Sequence, residues 1–423
     1  MKKSKRLISL LLAVLLALTA FAGTGMTALA KTGWVKSGGY RYYYANGEKI
    51  VNDAFNVDDK IYVFDAKGRQ VTKKGWYVIE YNDGDSYEWQ EWYFIKSNGT
   101  CQTGWKKIGG KWYYFDPFGG YMYSNSTYNI DGKVYIFDET GRWIDDKKGW
   151  YSVEYSDIGW DDYSYTLWYY FKDNGTCQTG WKKLSGKWYF FDEQYGWMYD
   201  DGGYNIRGKA YLFNKNGALI TKKGWYTYKT SYGTKQKYYF NSKGKLVTGW
   251  KKLGGKKYYF DDRGMMATGI TVDDATGKIY YFKKNGVWVK VNGWKKVNGA
   301  VYYFNKNGVA VTGVKKIGSK RYYFGEDGVR YSGNGVTEMF NIEEGEFDFY
   351  YINAKGVVKT GWIHSGDNTY YATKNGAFAK GWKTIGGEKY YFDLDDCHMY
   401  YGGIFNIDGT DYYFMEDGCL DND

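Results

Sequence analysis

The chain has 423 residues, 22% of them aromatic (50 Tyr, 23 Phe, 19 Trp), with 58 Gly and one proline, Pro117. Rings here replace the aliphatic core of an ordinary domain, and abundant aromatics with abundant glycine speak for short strands and tight turns and against a helical fold. The formal net charge of +11 comes from lysines spread along the chain, a solvated face that lacks the basic block of a nucleic-acid binder yet suits a weak attraction to anionic wall polymers.

The first thirty residues stand apart. Lys2, Lys3, Lys5 and Arg6 open a basic stretch, residues 7–22 are apolar, and Ala28-Leu29-Ala30 offers a small-residue cleavage site. That order reads as a secretory signal peptide over 1–30, with a retained membrane anchor as the alternative. Its removal lowers the net charge from +11 to +7. No later segment is long and apolar enough to span a bilayer as a helix, so export is expected, with any surface retention coming from non-covalent binding.

From Gly33 onward the chain repeats. Trp34, Trp76, Trp105, Trp150, Trp181, Trp225, Trp250, Trp294, Trp362 and Trp382 each follow a glycine. Degenerate starts are read at Phe55, Tyr128, Tyr204, Ile270, Val314, Val336 and Ile404, which gives about 17 units of roughly 20 residues, a solenoid period. Within a unit such as "WKKLGGKKYYF" (250–260), two short strand-like runs flank Gly254-Gly255. The same slot holds Gly109-Gly110, Ser185-Gly186, Asn298-Gly299 or Asp408-Gly409, two-residue turns that suit type I′ or II′ hairpins. One hairpin is marginal in water, so neighbours must stack on their aromatic strands. The predicted fold is all-β: an elongated solenoid of stacked β-hairpins.

A larger repeat covers 76–149 and 150–224, with "CQTGWKK" at 101–107 and 177–183 and "KKGWY" at 147–151 and 222–226. Each copy holds three units, and the opening units carry insertions, "EYNDGDSYEWQ" (80–90) and "EYSDIGWDDYSYTL" (154–167). Their acidic residues, Asp83, Asp85 and Glu88 or Asp157, Asp161 and Asp162, lack a calcium-loop pattern and read as solvated.

The phrase "TGWKKIGGKWYYFD" (103–116) resembles the choline-binding or cell-wall-binding repeats of Gram-positive surface proteins, and the resemblance runs over nearly all of 33–423. It implies a superhelix of hairpins with about three to a turn, and choline headgroups of teichoic acids held in aromatic cages between consecutive hairpins. Each cage would draw on the "GW" tryptophan, the first aromatic of the "WYY" strand and a ring from the next hairpin. The chemistry is consistent: a quaternary ammonium donates no hydrogen bond and is recognised by ring faces, tryptophan best. In "WYYF" strand alternation puts Trp112 and Tyr114 on one face and Tyr113 on the other.

Paired tryptophans single out candidate ligand-binding residues: Trp76 with Trp92, Trp105 with Trp112, Trp150 with Trp168, Trp181 with Trp188, and also Trp225. In later units the second slot holds Lys257, Val301, Arg321 or Lys389. "GKKYYFD" and "GEKYYFD" there are more similar to repeats of glucan-binding proteins and of clostridial toxin receptor-binding domains. The chain therefore divides into a choline-binding-like part, 31–224, and a more degenerate cell-wall- or glucan-binding-like part, 225–423.

Other chemistry is sparse. His364 and His398 fall in different units without a nucleophile motif, so no catalytic residues, metal ligands or cofactors are expected. Cys101 and Cys177 occupy equivalent positions that stacking would hold roughly 10 Å apart, too far for a disulfide. A Cys397–Cys419 bridge stays open. The expectation is a non-catalytic, secreted wall-binding protein attached multivalently to choline-substituted teichoic acid or a related polymer. A carbohydrate-binding adhesin and a structural surface scaffold are the alternatives, and oligomeric state is undetermined.

Overall fold

The structure, a computed structural model, describes residues 32–82, 88–156, 164–341 and 345–421. Residues 1–30, read above as a signal peptide, and Asp83, Asp85, Asp157, Asp161 and Asp162 lie outside the described residues. These form seventeen antiparallel hairpins, from 33–45 to 403–414, and no helix. Most sheets are two-stranded; the largest is five-stranded and open, so the predicted array of hairpins holds and no barrel closes. Among the described residues no helix is long and apolar enough to cross a membrane.

The 104–115 hairpin shows how sequence becomes shape. Gly104–Ile108 pairs with Lys111–Phe115 through the register Gly104↔Phe115, Trp105↔Tyr114, Lys107↔Trp112 and Ile108↔Lys111. Gly109 and Gly110 close it at φ 56° and 81°, the left-handed pair that a type I′ turn demands. Where the first turn residue is not glycine it is Ser185, Asn298 or Asp408, at φ 46–50°. Short polar side chains bear that region best. The strand's last ring, Phe115, is fully buried, as are its counterparts Phe64, Phe191 and Phe260.

Stacking is specified by one recurring hydrogen bond. After most hairpins the connector turns back and donates a backbone N–H to the previous hairpin. Gln70 N–H reaches Arg41 O at 2.8 Å, Met122 reaches Trp92 at 2.7 Å, Trp143 reaches Trp112 at 2.8 Å, Met198 reaches Trp168 at 2.7 Å and Trp288 reaches Lys257 at 2.8 Å. In these five the accepting residue is two places before the ring that faces the "GW" position, so one short bond fixes the offset between neighbours. Gly120, in such a connector, has φ 73°, and a Cβ there would lie 3.1 Å from Cys101 Cβ and 3.2 Å from Ile61.

Three degenerate unit starts are corrected by register. The residues paired as Trp105 is paired are Ala54 (opposite Val63), Thr127 (opposite Ile136) and Gly203 (opposite Leu212), not Phe55, Tyr128 and Tyr204. One residue of slip exchanges the two strand faces. The displaced rings pack on the opposite face, Tyr128 on Tyr123 at 3.9 Å and Tyr204 on Tyr199 at 4.4 Å, both stacked. Burial of these rings against a connector tyrosine, rather than against the next hairpin, decides the register.

The insertions lengthen the hairpins into eight-residue arms, Gly75–Asn82 with Glu88–Ile95 and Gly149–Ser156 with Ser164–Phe171. Tyr81 stacks on Trp89 across the first, at 5.0 Å, and Tyr155 on Tyr165 across the second, at 5.5 Å. All four cysteines are free thiols and buried. Cys101 and Cys177 pack as small apolar residues beside Ile61 and Val134. The chain forms two compact units, Met1–Gly180 with Phe191–Met198, and Trp181–Phe190 with Tyr199–Asp423.

Candidate functional site

Each "GW" tryptophan meets rings from two hairpins. Trp105 faces Tyr114 of its own hairpin at 5.1 Å and lies 4.8 Å from Tyr135 and 5.9 Å from Phe137 of the next. Trp112, diagonal to Trp105 across the ladder, stands edge-on at 6.3 Å. The two tryptophans therefore occupy opposite arms of one hairpin and the same face, with the next hairpin supplying a third side. Strand alternation lets one strand serve two sites. Trp112 and Tyr114 line the Trp105 site, while Tyr113 and Phe115 approach Trp76 of the preceding hairpin at 5.1 and 5.8 Å.

The other paired tryptophans repeat this geometry. Trp76 and Trp92 are 6.5 Å apart, Trp150 and Trp168 6.5 Å, and Trp181 and Trp188 6.3 Å, all edge-on. Tyr211 closes the Trp181 site at 4.8 Å and Phe191 the Trp150 site at 5.8 Å. Trp225 is brought against Tyr239 at 5.2 Å and Tyr258 at 5.0 Å, but the slot opposite Thr227 is Lys237, so it has no second tryptophan. Trp92, Trp168 and Trp188 keep 41–45% of their surface exposed, whereas Trp105 and Trp181 are half-buried. Only at Trp181/Trp188 is the outer ring clearly the more exposed: Trp105 and Trp112 are both half-buried, and Trp76 and Trp150 are about as exposed as Trp92 and Trp168.

One wall escaped the sequence reading. Trp143 sits in the connector after the 126–137 hairpin, yet lies 5.3 Å from Trp105, and its indole donates to Gly175 O at 3.2 Å. Trp288 repeats the role, 5.6 Å from Trp250. Neither follows a glycine or stands in a "WYY" strand; their only signal in sequence is a fixed place two residues after the connector glycine.

Electrostatics fix the Trp250 ring. Its indole donates to Asp273 Oδ2 at 3.0 Å, and Tyr259 donates to Asp273 Oδ1 at 3.3 Å. Burial pushes the Asp273 carboxyl up, but these bonds, with those from Thr276 and the Ala275 N–H, outweigh it and hold the group below its ordinary 3.8. Farther along the same unit, Tyr199, Asp201, Tyr204, Gln236, Tyr238, Asp261 and Arg263 line an open polar groove of about 550 Å³. Burial raises Asp261 there. Among the described residues no group of three or more His, Cys, Asp or Glu side chains is placed to hold a metal ion.

Comparison with known proteins places the repeats. Residues 247–290, 291–334 and 379–418 match the choline-binding repeat, and 103–119, 167–177, 179–194 and 360–378 match the putative cell wall binding repeat. Glucosyltransferase-I of Streptococcus downei is 25% identical over 377 residues, 89% of this chain but 20% of its own length. Glucosyltransferase-S of Streptococcus mutans is 26% identical over 224 residues, 48% of this chain and 14% of that protein. The chain thus spans a fifth or less of the curated relatives it matches. Among solved structures, choline binding protein F of Streptococcus pneumoniae aligns over 83% of this chain and all of its own, at 22% identity and a TM-score of 0.23.

Proposed function

Because the chain carries repeats of the choline-binding, cell-wall-binding family, we propose that it is a secreted, non-catalytic protein that attaches to choline-substituted teichoic acid or a related wall polymer. The observation that carries this reading is the cluster of Trp112, Tyr135 and Trp143 around Trp105 where consecutive hairpins meet. Faces and edges of aromatic rings suit a trimethylammonium group, at about 0.5–2 kcal/mol per ring. The sites at Trp76/Trp92, Trp150/Trp168 and Trp181/Trp188 repeat it, and Trp225 offers a reduced version. Individually weak sites on one scaffold gain avidity when a polymer presents choline repeatedly. The protein should be retained on a choline-substituted matrix and released by free choline; passage straight through the column would reject the reading.

The polar groove favours a second reading. Stacked Tyr199 and Tyr204 beside Asp201, Gln236 and Asp261 offer the ring face and hydrogen-bonding groups a sugar uses, and two relatives are glucosyltransferases. Retention on an immobilised α-glucan, insensitive to choline, would identify this groove as the working site.

A further inference from the structure

The 249–260 hairpin reproduces the rings of the Trp105 site, with a lysine in place of Trp112 and the Asp273 carboxylate accepting from the Trp250 indole at 3.0 Å. Trp250 faces Tyr259 at 5.4 Å, Tyr280 of the next hairpin at 4.9 Å and the connector Trp288 at 5.6 Å. These are the counterparts of Tyr114, Tyr135 and Trp143. The connector bond is the same too: Trp288 donates to Lys257 O as Trp143 donates to Trp112 O, both at 2.8 Å. Of the ring walls only the second differs, Lys257 standing where Trp112 does. Its ammonium lies 5.0 Å from the Trp250 ring and 5.0 Å from the Trp288 ring. A cation already stands between the two faces that would hold a ligand's cation.

The substitution recurs. Arg41 occupies the slot beside Trp34 and lies 4.1 Å over that ring, and Lys389 lies 5.2 Å over Trp382. Exposure does not separate the two sets, since Trp105 and Trp181, with tryptophan in the slot, are half-buried like Trp34, Trp250 and Trp382. What separates them is the basic group placed over the ring at 4.1, 5.0 and 5.2 Å. A basic residue in the slot is not sufficient, because Trp225 has Lys237 there and remains 46% exposed. Nor is every nearby lysine a plug: Lys107 reaches Trp112 only at 5.9 Å, from the same hairpin's other arm.

We propose that Lys257, Arg41 and Lys389 are specificity-determining residues that occupy their own cages and shut them against quaternary-ammonium ligands. The proposal rests on the cage reading above and adds which cages work. A tethered cation needs no translational freedom to be lost on binding, so it outcompetes a free one of equal ring affinity. The paired-tryptophan sites, with Trp225, then stay open, and the tryptophans at 34, 250 and 382 serve the stack alone.

Crystals of the chain and of its Lys257→Ala and Lys257→Gln variants, soaked in choline, test this. The wild type should show choline at Trp105 and none between Trp250 and Trp288, and Lys257→Ala should gain choline there. In solution that site's affinity should rise about tenfold or more, the equivalent of about 1.4 kcal/mol. Choline at Trp250 in the wild type, with Lys257 displaced, would overturn the proposal and leave the cage reading standing. So would an empty Trp250 site in both variants while Trp105 is filled. Empty sites at both tryptophans in every protein would overturn the cage reading, and this proposal with it.

Discussion

Binding and folding should separate at the outer tryptophans. In the variant carrying Trp92→Ala, Trp112→Ala, Trp168→Ala and Trp188→Ala, every first-position ring loses one edge-on neighbour but keeps its contacts with the next hairpin. The stacking bonds from Met122, Trp143 and Met198 end on the backbone oxygens of Trp92, Trp112 and Trp168, which alanine also provides. Three of the four removed rings are more than two-fifths exposed, so little buried surface is lost. Each site, however, forfeits one ring, about 0.5–2 kcal/mol, or roughly 2- to 30-fold in affinity. Linked sites compound such losses, so retention on a choline-substituted matrix should vanish while thermal unfolding and amide hydrogen exchange stay near wild type. Retention unchanged in a folded quadruple variant would refute the reasoning.

The inner tryptophan predicts the reverse: Trp105→Ala removes a ring held by Tyr114, Tyr135, Phe137 and Trp143 and should cost about 3–5 kcal/mol, seen as early local melting in hydrogen exchange. Because the folded Asp273 carboxyl titrates below 3.8, its stabilising contribution is present above that pH and disappears as pH falls through the folded value. Asp273→Asn should therefore differ from wild type in stability at neutral pH and converge on it in acid, in denaturant titrations at each pH. Burial raises the Cys101 and Cys177 thiols to about 12 and Cys397 to about 11, so a thiol reagent at pH 8 should label these slowly in the folded chain and fast in denaturant. Gly120→Ala should lower the melting temperature, since its left-handed backbone and the close Cys101 and Ile61 both resist a Cβ.

The hairpins were legible because their signals are local: a two-residue turn, an alternating strand and a glycine before tryptophan. The pairs Trp105/Trp112 and Trp181/Trp188 were legible too, since a seven-residue spacing across a two-residue turn forces diagonal neighbours on one face, and the long arms hold Trp76/Trp92 and Trp150/Trp168 in the same register. Register failed at Phe55, Tyr128 and Tyr204, where an aromatic one place past the slot looks like its occupant. What decides there is stacking on rings such as Tyr123 and Tyr199, which no local pattern announces. Trp143 and Trp288 were missed for a related reason, reaching their sites only when the next hairpin docks. Lys257 and Lys389 were visible as departures from the tryptophan pattern, but that their charges sit over the remaining rings is a fact of three dimensions.

The central claim is that the paired tryptophans are the ligand sites, and counting choline bound to the chain by equilibrium dialysis tests it most directly. Saturation should reach four or five per chain, one at each of Trp76/Trp92, Trp105/Trp112, Trp150/Trp168 and Trp181/Trp188 and a weaker one at Trp225. The quadruple alanine variant should bind at most the last. No binding by the wild type, or the same number bound by both proteins, would contradict the account.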